Sequence, residues 1–337
     1  MSRRTGAAWL GIGVLSAAFL GGILVGPVRI APLDVVRWLG TLGDRPTGMS
    51  EQEAAILATL RLPRVLVAGL VGAALSASGA AYQAVFRNPL ADPYLLGAAA
   101  GAGLGATIAV TFGPTTAFAV TVPLAAFLGA VGGVGLAYGL GRSSLGGRST
   151  TSLILGGIAV ASFLTAVQTF IQQQRSETLR EVYSWILGRL GTTGWDDTWI
   201  AIPSVAIAVV TLWLVRRLLD VIEVGELEAE SLGLHVGRLR LVVVVAASLA
   251  TAAAVSVAGL IGFVGIIVPH TVRLLAGSSY RYVLPLSVVF GASFLILVDV
   301  VARTAVAPAE IPIGVITAFL GAPFFVLALR RSGRRAA

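Results

Sequence analysis

Ten apolar blocks constrain this chain more than any other feature. They fall at about 7–27, 62–86, 94–112, 116–141, 151–173, 198–218, 239–260, 262–277, 281–302 and 312–330. Most approach the length of helix that crosses about 30 Å of hydrocarbon, roughly 20 residues. Lipid satisfies no backbone hydrogen bonds, so only helices and closed barrels span it. A barrel would show short segments of alternating polarity; these blocks are long and continuous. Charge agrees: 12% of residues are charged and 56% hydrophobic, against roughly 25% charged in a soluble domain. The reading is an all-α polytopic membrane protein, one transmembrane domain over residues 1–337.

The arginines orient it. Arg3 and Arg4 precede the first block and "RRSGRR" follows the last. Basic residues accumulate on the cytoplasmic side, so both termini are expected there and the number of spans is even. Ten spans satisfy this, with Arg142, Arg148, Arg216, Arg217, Arg238 and Arg240 in cytoplasmic loops. The block at 262–277 is short and holds Pro269 and His270, so it reads as a short span or a re-entrant segment. The first apolar run is long for a cleaved signal peptide and reads as a retained span. Three hydrophilic segments interrupt the blocks. Residues 28–61 and 174–197 are expected outside, the latter as an interfacial helix with Trp185, Trp195 and Trp199 nearby. Residues 219–240 are expected inside, as two short helices split at Gly225. A shift of 180 residues lays Gly79 on Gly259 and Pro89 on Pro269, in spans of opposite direction, the pattern of an inverted repeat.

The net charge is +8 and every basic residue is Arg; Lys and Cys are both absent. Basic residues between hydrophobic blocks read as topology control, and nucleic acid is not an expected partner. A chain without Lys has no P-loop lysine and forms no Schiff base. One without Cys has no disulfide, thiolate metal site or thiol catalysis. His235 and His270 lie in different segments with no carboxylate cluster, so no metal site is expected. Gly97, Gly101 and Gly105 bare one helix face and read as close packing. Gln172 to Gln174 lie at the outer end of the fifth span, as an interfacial helix end or facing a path.

The stretch "RNPLADPYLLG", Arg87 to Gly97, breaks the pattern. It follows the second span at the cytoplasmic face. On the residues alone it reads either as a helix-to-helix turn with Asn and Pro turn chemistry, or as part of a gate on a permeation path.

"RLPRVLVAGLVGAALSASGAAYQAVFRNPLADPYLLG", "GELEAESLGLHVGRLR", "GLIGFVGIIVPHTVRLLAG" and "EIPIGVITAFLGAPFFVLALRR" occur in that order between Arg61 and Arg331. Together they resemble the FecCD family of ABC-importer permeases, which carry ferric siderophores, haem or cobalamin. The resemblance implies a ten-span subunit that pairs with a second copy around a central path. It also implies two cytoplasmic ATPases that bind ATP and Mg, an external or periplasmic solute-binding protein, and residence in the bacterial cytoplasmic membrane. No cofactor is expected in this chain, and it is not expected to be an enzyme. The gate positions map to Asn88, Leu90, Thr150 and Thr151. Docking of the binding protein maps to Arg61, Arg64 and Arg303, where snorkelling is the other reading. Gly225, Glu226, Ala229, Leu232 and Gly233 fall in the segment that resembles the ATPase-coupling helices. Asp299 precedes Arg303 by four residues, which predicts an ion pair. That pair either holds Arg303 for docking or neutralises Asp299 in the membrane. The expected cargo is a bulky iron complex, with cobalamin as the alternative within the family. An ion-coupled secondary transporter is more remote, because Asp299 is nearly alone as an intramembrane acid.

Overall fold

The computed structural model describes residues 3–41, 43–46, 48–114, 117–143, 150–190 and 194–333. Arg148, Arg334 and Arg335, three of the arginines that orient the chain, lie outside them. All regular structure among the described residues is helical: α1 (Arg3–Leu24), α2 (Pro32–Gly40), α3 (Glu51–Ala55), α4 (Leu62–Val85), α5 (Ala98–Phe112), α6 (Phe118–Ser143), α7 (Thr150–Gln174), α8 (Leu179–Ile186), α9 (Trp195–Val224), α10 (Glu226–Ser231), α11 (Val236–Ala258), α12 (Val264–Ala276), α13 (Tyr280–Thr304) and α14 (Ile313–Gly333), with a π-helical turn at Ile56–Arg61 and a 3-10 turn at Ser176–Thr178.

Each of the ten apolar blocks falls on a helix. Seven helices are long and apolar enough to cross a membrane, the one containing α4 running unbroken from Glu51 to Val85. The other three blocks form the shorter apolar helices Ala98–Phe112, Val264–Ala276 and Ile313–Leu327. The chain is therefore a multi-pass membrane protein. The Glu51 start was readable in the sequence, because Ser50 and Glu53 form a capping box of the S-x-x-E kind.

The bundle wraps around α4, which packs on α9, α11, α12 and α13. Its Ala, Gly and Ser residues let neighbours approach closely. A Cβ on Gly79 would lie 2.1 Å from the Gly265 carbonyl oxygen, and one on Gly72 would lie 2.1 Å from that of Gly291. Three of its polar side chains are partnered across the interfaces. Ser78 donates to the Ala247 carbonyl, the Tyr82 hydroxyl meets Ser248 Oγ at 2.7 Å, and Gln83 donates to the Gly265 carbonyl at 2.9 Å. Gly101 and Gly105 press α5 onto the α6 backbone, and Gly97 caps α5 with φ +81°.

Two ends of the bundle can be told apart. At one, α10 follows α9, Arg4 lies over the Tyr282 ring at 4.6 Å, and Asp220 accepts from the Ser279 hydroxyl and the Tyr280 backbone at the start of α13. At the other lie α8, the end of α1 and residues 305–312.

Three expectations are corrected. Residues 219–224 are the last turns of α9, so Gly225 separates a long span from one short helix rather than two short helices. Residues 236–240 already belong to α11. The landmarks aligned by the 180-residue shift do not occupy equivalent places. Gly79 is inside α4 whereas Gly259 caps α11, and Pro89 lies in a turn whereas Pro269 is inside α12.

Candidate functional site

At the α10 end the chain leaves α4 through Phe86 and does not simply turn back. Arg87 takes φ +46°, its N–H bonds the Ala84 carbonyl, and the Asn88 N–H bonds the Gln83 carbonyl. This is the paired geometry that commonly closes a helix, with Arg87 at the left-handed position. Asn88 Oδ1 then accepts from the Leu90 N–H at 2.9 Å, and Asp92 Oδ1 from the Tyr94 N–H at 2.8 Å. Both are local turns of the kind Asn and Asp form.

From there the segment runs back into the bundle. A Cβ on Gly265 would meet Pro93 at 2.5 Å, while Gly265 itself lies against Gly79. Gly79 is six residues inside Val85, roughly 9 Å at the helical rise. The Tyr94 hydroxyl donates to the Ile261 carbonyl and accepts from the Ile261 N–H. Gly97 and Leu95 lie against Gly157 and Gly133, well inside α7 and α6. The expectation of a turn confined to one face is thus corrected: residues 87–97 run back into the bundle as irregular backbone, and α5 continues from them. Such backbone is tolerated at membrane depth where protein encloses it. Asn88 and Leu90 are half-buried; Thr150 is half-buried and Thr151 exposed at the start of α7.

The coupling segment has an inner and an outer side. Of the five coupling residues, Ala229 is fully buried and Gly225 is buried, so these two support α10 from inside. Leu232 is 77% exposed, and Leu227, which sequence reasoning passed over, is 79% exposed. Gly233 turns the chain at φ +81°. Glu226 receives Arg240 Nη2 at 2.6 Å and Arg87 Nη2 at 3.8 Å on the same oxygen. A separation of 14 residues for one pair and more for the other carries no local signal.

At the α8 end the three arginines serve the subunit itself. Arg61 is buried and donates to the Ile23, Leu24 and Val28 carbonyls, satisfying the bare end of α1. Arg303 is buried, donates to the Gly22 carbonyl, and lies 3.3 Å from Asp299 Oδ2. The i,i+4 pair is present, but Asp299 also takes Arg64 Nε at 2.9 Å. Arg64 in turn grips Glu310 with both terminal nitrogens, at 2.8 and 3.0 Å. That hydrogen-bonded guanidinium holds Glu310 below the usual carboxylate range. Arg61 and Arg303 present no charge to the surface. Exposed arginines at this end include Arg180 and Arg189, which sequence reasoning passed over. They line a cavity of about 570 Å³ together with Arg64, Tyr183 and Glu310.

Gln172 is turned inward and Gln173 and Gln174 are exposed. His235 precedes α11, and His270 meets the Phe324 ring edge-on at 5.4 Å, so the two histidines serve separate elements.

Comparison with known proteins places this architecture. The chain is 36% identical to an uncharacterized ABC transporter permease protein, YvrB, of Bacillus subtilis, over 99% of this chain and 96% of that one. It is 41% identical to the cobalamin import system permease protein BtuC of Halobacterium salinarum, over 84% of this chain and 75% of that one. A metal-chelate type ABC transporter solved in an inward-facing conformation superposes with a TM-score of 0.84 and 27% identity, covering 96% of this chain and 98% of its own. The profile of the FecCD transport family matches residues 14–331, and with 36–41% identity to such permeases the chain belongs to that family.

Proposed function

We propose that this chain is the membrane subunit of an ATP-driven importer for a bulky iron complex, a ferric siderophore or haem. It works as a homodimer with two cytoplasmic ATPases and an external binding protein. The observation that carries this reading is α10: a short helix set off by Gly225, with Leu227 and Leu232 bare at an aqueous end of the bundle. Apolar side chains at such a place match a protein contact. The α10 end is then cytoplasmic, as Arg4, Arg142, Arg216, Arg217 and Arg238 there favour, and both termini share it. Ten crossings follow if α5, α12 and α14 each complete a span, the first with the help of residues 87–97. A second reading, cobalamin as cargo, is supported by the 41% identity to a cobalamin import permease. Binding of ferric hydroxamates, haem and cobalamin to the partner binding protein separates the two; tight binding of cobalamin alone would refute the iron reading.

One reconstituted assay tests both interfaces. Leu232→Arg puts a charge in the ATPase contact while leaving the fold intact, since the side chain is exposed. Loss of a contact anchor costs at least about 2 kcal/mol, roughly a 30-fold weaker ATPase complex. Unchanged ATPase binding and uptake would refute the coupling assignment. For the binding protein, Arg180 and Arg189 are the reversals to make, because Arg64→Glu would place three acids together inside the subunit. Docking insensitive to Arg180→Glu and Arg189→Glu would refute a docking role for the cavity they line.

The gate is proposed at Asn88, Leu90, Thr150 and Thr151, with Asn88 and Leu90 near the axis of the homodimer, where a residue meets its own copy. Asn88→Cys introduces the chain's sole thiol. Crosslinking between subunits is expected to be efficient in the inward-closed state and to fall several-fold when the path opens. Absence of crosslinking in every nucleotide state would leave this turn a connector.

A further inference from the structure

Among the described residues, two other than glycine have positive φ, Arg87 and Phe263, against seven glycines. A side chain at such a position is disfavoured unless something requires it. For Phe263 the reason is packing, since its ring fills the space beside Gly321. Arg87 is 46% exposed, so burial does not explain it. Its side chain reaches Glu226, the first residue of α10, on the oxygen that Arg240 holds at 2.6 Å. Arg240 is 4% exposed, which anchors Glu226 to the base of α11. An isolated surface pair at 3.8 Å contributes little to stability, so stability alone does not account for an arginine where glycine fits better.

We propose that Glu226 and Arg87 form a latch that makes the turn at residues 87–92 follow α10. This rests on the transport reading above and deepens it, naming the residue pair that carries the motion. Glu226 moves with α10. Arg87 is covalently next to Asn88, and the Asn88–Leu90 turn is closed by its own hydrogen bond, so a pull on Arg87 displaces the turn as a unit. Arg240 gives the carboxylate a fixed partner to fall back on, which keeps Glu226 positioned when Arg87 lets go. Arg87 and Glu226 are positioning residues and touch no cargo in this scheme.

The test separates the latch from a structural role. Pro89→Cys in this Cys-free chain carries a spin label, and the chain is studied in nanodiscs with the ATPase subunits that co-purify with it. Label mobility is read before and after Mg-ATP with vanadate. In the otherwise unaltered chain the label is expected to respond. Arg87→Gly suits the backbone at least as well, so the melting temperature should hold or rise. The fraction of label that responds should nevertheless drop by at least about fivefold, the lower edge of typical coupling between sites. Arg87→Lys keeps the charge and should restore most of the response. Glu226→Gln should mimic Arg87→Gly, and the two together should be no worse than either. A full response in Arg87→Gly, with the parent also responding, overturns the latch and leaves the transport reading standing. No nucleotide response in the parent overturns both.

Discussion

Asp299→Ala is expected to destabilise the folded chain by about 3–5 kcal/mol, the cost of breaking a buried ion pair from one side. Asp299 is completely buried and serves two guanidiniums, Arg64 at 2.9 Å and Arg303 at 3.3 Å. Without it Arg64 keeps Glu310, but Arg303 is left with the Gly22 carbonyl and no counter-charge. Uncompensated charge in a low-dielectric interior is what makes such truncations severe. The loss should appear as a large fall in melting temperature in nanodiscs, with α1, α4 and α13 separating first, because this cluster ties them. Asp299→Asn keeps an acceptor and should cost less. Replacing all three charged residues by apolar ones of similar size should recover much of the loss, since apolar substitutes for buried ion pairs are often neutral or better. A melting temperature within a degree of the unaltered chain for Asp299→Ala would show that the cluster is not what joins these helices.

Gly79→Val is expected to be nearly as damaging. Its first added carbon would sit 2.1 Å from the Gly265 carbonyl oxygen and 2.5 Å from the Gly265 Cα. Those are backbone atoms, and α4 is enclosed by α9, α11, α12 and α13, so neither side has room to yield. Overpacking of a closed core costs about 1–3 kcal/mol and occasionally more; a clash with backbone on both sides belongs at the upper end. Gly265 also supports Pro93 and accepts from Gln83, so the irregular segment 87–97 should be displaced with α12. Gly132→Ala is the contrast. A Cβ there meets nothing within 4 Å, and alanine favours a helix over glycine by about 1 kcal/mol. Equal melting temperatures for the two variants would mean that the α4–α12 contact is looser than the backbone positions indicate.

The sequence alone determined the solvent, the helical class, the ten blocks and the places where helices break. These are local properties. A 20-residue apolar block, a Pro-rich interruption at 87–97, a glycine at 225 and an i,i+4 pair at Asp299 and Arg303 are each written within a few turns of chain. Ordered family motifs along the chain likewise named the family before any helix was placed. Tertiary structure alone decided which arginines are free. Arg64 meets Glu310 across 246 residues and Arg61 meets the end of α1 across 33 to 38, and no periodicity relates such positions. It also decided that Ala229 faces inward while Leu232 faces out, that residues 87–97 run into the bundle, and that Arg87 meets Glu226. The physical reason is the same in each case. A residue's own helix sets whether it can be buried, but its partner is chosen by how helices distant in the chain pack, and that depends on every interface at once.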